Sequence, residues 1–206
     1  MSTKAADSGP TRDLLDQVAH GNRQALEQLL DQHRPALRDF VDCHLDPGIR
    51  GRVDPSDVVQ ETHLEVVRRI DDYLAQRPMP FHLWLRKKAY DRLLNLRRDH
   101  RRHRRSVDRE VRWPARSSLL LAKPFLMRSG CPSQQLETRE LAERAAAVVA
   151  RLPEADREIL LLRQAEGMSF EEIACLLDIE PAAARKRFGR ALIRLQKALA
   201  DANLLE

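Results

Sequence analysis

The chain has 206 residues, of which 43% are hydrophobic, 33% charged and 4% aromatic, with only seven glycines. So few aromatics and glycines exclude an all-β sandwich or barrel, while abundant Leu, Ala, Arg and Glu favour helices. The net charge is +5, and thirty of the 36 cationic residues are arginine, whose planar fork suits phosphates and base edges better than lysine's point charge.

Met1 to Pro10 is polar and lacks an apolar signal core, and no run approaches the ~20 apolar residues of a membrane span. A cytoplasmic protein is expected. The first helical stretch covers residues 12–45. Leu14, Leu15 and Val18 form a short apolar face that Gly21 closes. A second helix begins at Asn22, with Ala25, Leu26, Leu29, Leu30, His33, Leu37 and Val41 at helical spacing. Pro35 lies inside it as a site for a kink or break, and Asp46-Pro47-Gly48 ends the segment.

Asp54-Pro55 opens the next helix. Asp54 suits the cap, Pro55 the first turn, and Asp57 complements the helix dipole. Val59, Thr62, Val66, Ile70 and Leu74 make its apolar stripe. Residues 54–72 carry six acids against Arg68 and Arg69, a local charge of −4. A fourth helix runs from Phe81 to about Arg105, with Phe81, Trp84, Leu85, Ala89, Leu93 and Leu96 inward. Residues 86–105 hold ten cations against Asp91 and Asp99, a local charge of +8. Such density attracts a polyanion and releases counterions on binding. Phe81 and Trp84 read as core, whereas Tyr90 is open to a role as a platform for an unstacked base. The acidic helix serves either to neutralise its basic neighbour or to dock a protein.

Residues 106–135 are interrupted by Trp113-Pro114, Lys123-Pro124, Ser129-Gly130 and Cys131-Pro132 and read as a linker, with a short helical piece at Ser118–Leu126. Helix resumes near Ser133 and runs to Arg151, followed by helices at Pro153–Ala165, Phe170–Leu177 and Pro181–Leu199. Ser169 and Glu172 form a capping box, which also accounts for the Glu171-Glu172 pair, and Asp178-Ile179-Glu180 makes a tight turn. Ala184, Phe188, Leu192, Leu195 and Leu199 face inward on the last helix. Short helix, tight turn and longer helix form a helix-turn-helix. Residues 181–199 contain six cations and no acid, and Arg185, Lys186, Arg187 and Arg190 lie in the half that enters a major groove. The fold class is therefore all-α: two small helical domains, 10–105 and 133–203, joined by a linker at 106–132.

Catalytic and metal motifs are lacking. There is no G-x-x-x-x-G-K-[ST], G-x-S-x-G or H-E-x-x-H, and the seven histidines are dispersed. Cys43, Cys131 and Cys175 are far apart and odd in number, and read as incidental thiols in a reducing compartment. Neither an enzyme nor a cofactor or metal site is expected.

Several segments, in order, resemble the extracytoplasmic-function (ECF) group of bacterial sigma-70 family sigma factors. Asp57-Val-Val-Gln-Glu61 is similar to the D-x-V-Q-E segment of the polymerase-binding helix. Phe81-His-Leu-Trp-Leu85 with the arginine run resembles the stretch that recognises and melts the −10 element. Leu152 to Arg163 resembles the first half of the family's domain four, and Glu171 to Ala174 with Arg185 to Leu195 resembles its −35-reading helix-turn-helix. Arg98-Asp-His-Arg-Arg-His, the 129–135 stretch and Ala183-Ala-Arg-Lys-Arg187 look like a variant common in planctomycetes.

The resemblance implies that Asp57, Gln60 and Glu61 dock on core RNA polymerase. It implies that Lys88, Tyr90, Asp91, Arg97, Arg98, Arg101 and Arg102 serve the −10 element, and Arg185, Lys186, Arg187 and Arg190 the −35 element. Many family members are held by an anti-sigma factor, though no motif here marks such a regulator. The chain departs from the family pattern in carrying Asp91 for the usual Asn, Asn95 for the usual Asp, and Ala182-Ala183-Ala184 for the usual Gly-Thr-Val. Asp91 repels phosphate but accepts from a base amino group, so an altered −10 preference is expected. A stand-alone helix-turn-helix regulator, needing no polymerase, is the alternative that the residues alone leave open.

Overall fold

A computed structural model describes residues 7–103, Leu121 and 135–204. The linker at 106–132, with its expected helical piece, lies outside the described residues apart from Leu121, as does Cys131. The chain divides into two compact units, Met1–Glu110 and Val111–Glu206. All regular structure among the described residues is helical.

The first unit contains α1 (Gly9–Ala19), α2 (Arg23–His44), α3 (Pro47–Arg50), α4 (Pro55–Gln76) and α5 (Phe81–His103). Its core forms where α2, α4 and α5 meet. Leu37, Phe40 and Val41 come from α2, Val58, Val59 and Val66 from α4, and Phe81, Leu85, Ala89 and Leu93 from α5; all are at most 2% exposed. Tyr73 stacks on Trp84 with ring centroids 4.6 Å apart and meets Phe81 edge-on at 5.7 Å. Its hydroxyl donates to the Met79 carbonyl at 3.0 Å, a partner that makes burying this polar aromatic tolerable. Asp7 reaches across to the start of α5 and accepts the Phe81 N–H at 2.7 Å.

Local sequence accounts for the boundaries. The Asn22 side chain accepts the Ala25 N–H and starts α2. α2 runs unbroken through Pro35, which lies on its exposed side. α2 ends at His44, just before Asp46-Pro47-Gly48, and Asp46, accepting the Gly48 N–H at 2.7 Å, caps a separate short turn of helix. Asp54 and Asp57 form a reciprocal capping box at the head of α4. Hydrogen bonds from Ser56 hold the exposed Asp54 carboxyl below its usual value.

The second unit contains α6 (Gln135–Arg151), α7 (Glu154–Leu160), α8 (Phe170–Leu177) and α9 (Pro181–Asp201). α9 packs on α6, α7 and α8 and buries Ala184, Ala191, Leu195 and Leu199, with Phe188 and Leu192 half-buried. The helix expected over Pro153–Ala165 changes character at Leu161, where a π-helical turn spans Leu161–Ala165. Ile159, Leu160, Leu161 and Leu162 are all fully buried. Burial runs without a gap from Asp156 through Leu162, so the chain is covered on all sides across the junction of the two helical forms. The capping box at α8 is complete: the Ser169 N–H donates to Glu172 Oε2 at 2.7 Å, and the Glu172 N–H donates to Ser169 Oγ at 3.1 Å.

Two predictions follow from this packing. Buried His44 donates Nδ1–H to the Phe40 carbonyl at 2.8 Å, and burial lowers its pKa to about 3. Burial likewise lowers His33 and His63. The folded unit therefore excludes protons that the unfolded chain binds below pH ~6.5, so stability is lost as pH falls from there; for His44 the loss continues towards its folded value of about 3, by up to about 1.4 kcal/mol per pH unit. In a Trp113→Phe background, where Trp84 fluorescence reports the first unit, the denaturant midpoint should drop between pH 7 and pH 5. His44→Gln, which retains a donor but does not titrate, should flatten that slope. Ser169→Ala should cost about 1 kcal/mol of stability in the second unit, measured by denaturation followed with circular dichroism.

Candidate nucleic-acid and polymerase interfaces

Three surfaces carry the residues singled out by sequence. The first is α4. Its outward stripe, at i, i+3, i+7, i+10 and i+14, is Asp57, Gln60, Leu64, Val67 and Asp71, all exposed. Leu64 is 57% and Val67 51% exposed, large apolar side chains in water at the centre of a polar ridge. Sequence reasoning missed this pair, although heptad spacing from Asp57 marks it. The acids divide between tasks. Asp57 accepts the Asp54 N–H at 3.1 Å in the capping box. Glu61 pairs with Arg92 of α5, and Glu65 pairs with Arg69 and lies 3.9 Å from the Lys88 ammonium. The acidic helix thus neutralises part of its basic neighbour and still presents an open ridge.

The second surface is α5, where two expected DNA contacts need correction. Arg97 is 6% exposed, and its guanidinium donates to the His44 carbonyl at 2.8 Å. It continues the inward series Phe81, Leu85, Ala89, Leu93 at four-residue steps and satisfies a carbonyl at the end of α2, where a cation also complements the helix dipole. Tyr90 is 3% exposed, seven residues beyond buried Leu83, because α5 is covered on a second face as well. Neither side chain is placed to receive a base or phosphate. Arg98 and Arg102 are exposed, with Arg98 donating to the Asn95 side chain. Asp91 is half-buried. Lys88 lies 5.7 Å from the Trp84 ring centroid. Arg101 lies on α5, with its side chain outside the described residues.

The third surface is the helix-turn-helix. Asp178 adopts the left-handed conformation (φ 52°) that ends α8 and turns the chain into α9. A groove of about 320 Å³ runs along α9, lined by Asp156, Ile179, Ala183, Lys186, Arg187, Arg190 and Arg194. Lys186 and Arg190 are exposed. Arg194 donates to the buried Asp156 carboxylate at 2.6 Å, and Arg187 lies 3.8 Å from buried Glu158. Arg185 lies 3.3 Å from Glu171 of α8. Glu172 serves the capping box, but Glu171 does not; it pairs with Arg185 of α9. An array with cations on one helix and carboxylates behind them attracts phosphate and fixes which cations can swing outward.

Among the described residues, no group of three His, Cys, Asp or Glu side chains is arranged to hold a metal ion, and no helix is long and apolar enough to cross a membrane. Cys43 is buried and Cys175 exposed, each as a free thiol.

Comparison with known proteins identifies the family. Residues 142–195, from within α6 through most of α9, match the family described as Sigma-70, region 4. The chain is 33% identical over 194 residues to the RNA polymerase sigma factor CnrH of Cupriavidus metallidurans, covering 93% of this chain and 95% of that one. It is 25% identical over 178 residues to the ECF RNA polymerase sigma-E factor of Escherichia coli, covering 86% and 88% respectively. The structure of CnrH in complex with the cytosolic domain of CnrY superposes with a TM-score of 0.57 at 28% identity, over 94% of this chain and 98% of that one. Similarity over nearly the full length disfavours a stand-alone helix-turn-helix regulator. The chain belongs to the ECF group of sigma-70 family RNA polymerase sigma factors and is a transcription initiation factor.

Proposed function

We propose that the first unit docks on core RNA polymerase through the α4 ridge and holds the −10 region along α5, while the second unit reads the −35 element with α9. The observation that carries this reading is the coexistence of the exposed Asp57–Gln60–Leu64–Val67–Asp71 ridge with the cationic face of α9. A protein that only bound DNA would gain nothing from an apolar, acid-flanked ridge, which repels phosphate.

Within the ridge, Leu64 and Val67 supply apolar area and Gln60 a hydrogen-bonding edge. Asp57 adds charge while its carboxylate also caps α4, and Glu61 acts together with Arg92. On the −10 side the phosphate contacts fall to Arg98, Arg101 and Arg102, with Lys88 and Asp91 nearer the strand to be opened. Melting costs a few kcal/mol per unstacked base, so polymerase and DNA contacts must be made together. On the −35 side Arg185, Lys186, Arg187 and Arg190 face the major groove. The role is one of binding and handover, without catalysis by this chain, and its place is the cytoplasm beside polymerase and promoter. CnrH is seen bound to the cytosolic domain of CnrY, and a protein inhibitor acting on these same surfaces is the corresponding regulator here.

The test is size-exclusion chromatography with cognate core RNA polymerase. The wild-type chain should co-elute at about one to one. Leu64→Glu, which changes an exposed side chain and leaves the capping box intact, should weaken association roughly tenfold or more, as loss of a central apolar anchor does, without lowering the melting temperature. Wild-type failure to co-elute refutes the polymerase assignment, and normal co-elution of Leu64→Glu refutes the ridge as its docking face.

A further inference from the structure

The start of the helix-turn-helix contains a cluster that neither capping nor core packing requires. Arg185, on the second turn of α9, lies 3.3 Å from the Glu171 carboxylate and 5.8 Å from the centre of the Phe170 ring. Phe170 in turn has the Arg163 guanidinium at 4.8 Å and the edge of Phe188 at 5.7 Å. Arg163 is fixed by its donation to the Met168 carbonyl at 2.7 Å. The ring is thus held by the π-helical turn on one element and by α9 on another, and it forms a floor for Arg185. Glu171 has no part in the capping box, whose carboxylate is Glu172.

We propose that Glu171 is a positioning residue: with Phe170 it pre-orients Arg185 for one base pair of the −35 element. The inference rests on the reading of α9 as the −35 helix. An arginine on a flexible stem loses side-chain freedom when it makes a bidentate base contact. A guanidinium already gripped by a carboxylate and an aromatic face has lost most of that freedom in advance. The Glu171 pair itself is half-exposed, at 53% and 48% for the two side chains, and such pairs add little stability. Its value lies in aim. Two opposite effects follow from removing the carboxylate. Non-specific affinity rises, because an anion near phosphate is gone, while discrimination at the base pair read by Arg185 falls.

The test uses holoenzyme assembled from the full chain and core RNA polymerase, selecting from random-sequence duplex DNA. Arg185→Ala defines the position concerned and should relax it roughly tenfold or more while others stay sharp. Glu171→Gln should relax that same position roughly threefold or more and tighten non-specific binding. Glu171→Asp, which keeps the charge at the helix start but is one methylene shorter, should relax it too. A purely structural role for Glu171 would lower all binding equally and move no base preference. If Arg185→Ala relaxes a position and Glu171→Gln leaves it sharp, the positioning inference is overturned and the −35 reading stands. If Glu171→Gln relaxes it and Glu171→Asp does not, charge alone is at work and the clamp geometry is refuted. If Arg185→Ala relaxes no position, the assignment of Arg185 to the −35 element fails, and the inference with it.

Discussion

Thirty arginines in 206 residues repel one another unless something holds them, and carboxylates on neighbouring helices do the holding. Glu61 and Glu65 of α4 pair with Arg92 and Lys88 of α5. Asp156, Glu158 and Glu171 pair with Arg194, Arg187 and Arg185 of α9. Exposed ion pairs contribute at most about 1 kcal/mol each, and pairs with a buried carboxylate, such as those of Asp156 and Glu158, largely repay the cost of desolvating it; stability comes mainly from buried apolar side chains. The pairs set direction. They bind some cations to the protein and leave Lys186, Arg190, Arg98 and Arg102 turned to solvent, where a polyanion meets them first.

The same constraint explains why one arginine leaves the surface altogether. Arg97 is drawn into the first unit by an unsatisfied carbonyl at the end of α2, a demand that every helix terminus makes. It joins α5 to α2, so the helix that carries the basic stretch is anchored in the middle of that stretch. Anchored cations on α5, an open apolar ridge on α4 and a second reading helix on another unit are the parts a transcription initiation factor needs. In the proposed reading, one part holds the enzyme, and two hold DNA that must stay in register with it.

Much of this was legible in sequence. The helix start at Asn22, the caps at Asp54 and Ser169, the tight turn at Asp178 and the breaker at Gly21 are local signals, set within a few residues. The inward stripes of α2, α4 and α5 followed from period alone. What sequence hid is tertiary. Tyr90 read as open because a single helical stripe predicts one covered face, and α5 is covered on two. Arg97 read as a phosphate contact because its charge drew attention from its four-residue register with Leu93. The π-helical turn at Leu161–Ala165 has no local breaker to announce it. The second role of Glu171 depends on where α9 places Arg185, fourteen residues away.

In the proposed reading, the buried Asp156 carboxylate holds Arg194 against the protein, while Arg190, on the same helix, stays open to DNA. The salt dependence of DNA binding by holoenzyme, assembled from the full chain and core RNA polymerase on a promoter duplex of fixed sequence, checks this. Each phosphate contact adds about 0.9 to the slope of log K against log salt. Arg190→Gln should lower the magnitude of that slope by about 1, whereas the charge-neutral double variant Asp156→Asn/Arg194→Gln should leave it unchanged. A drop in the double variant as large as that in Arg190→Gln would contradict the account.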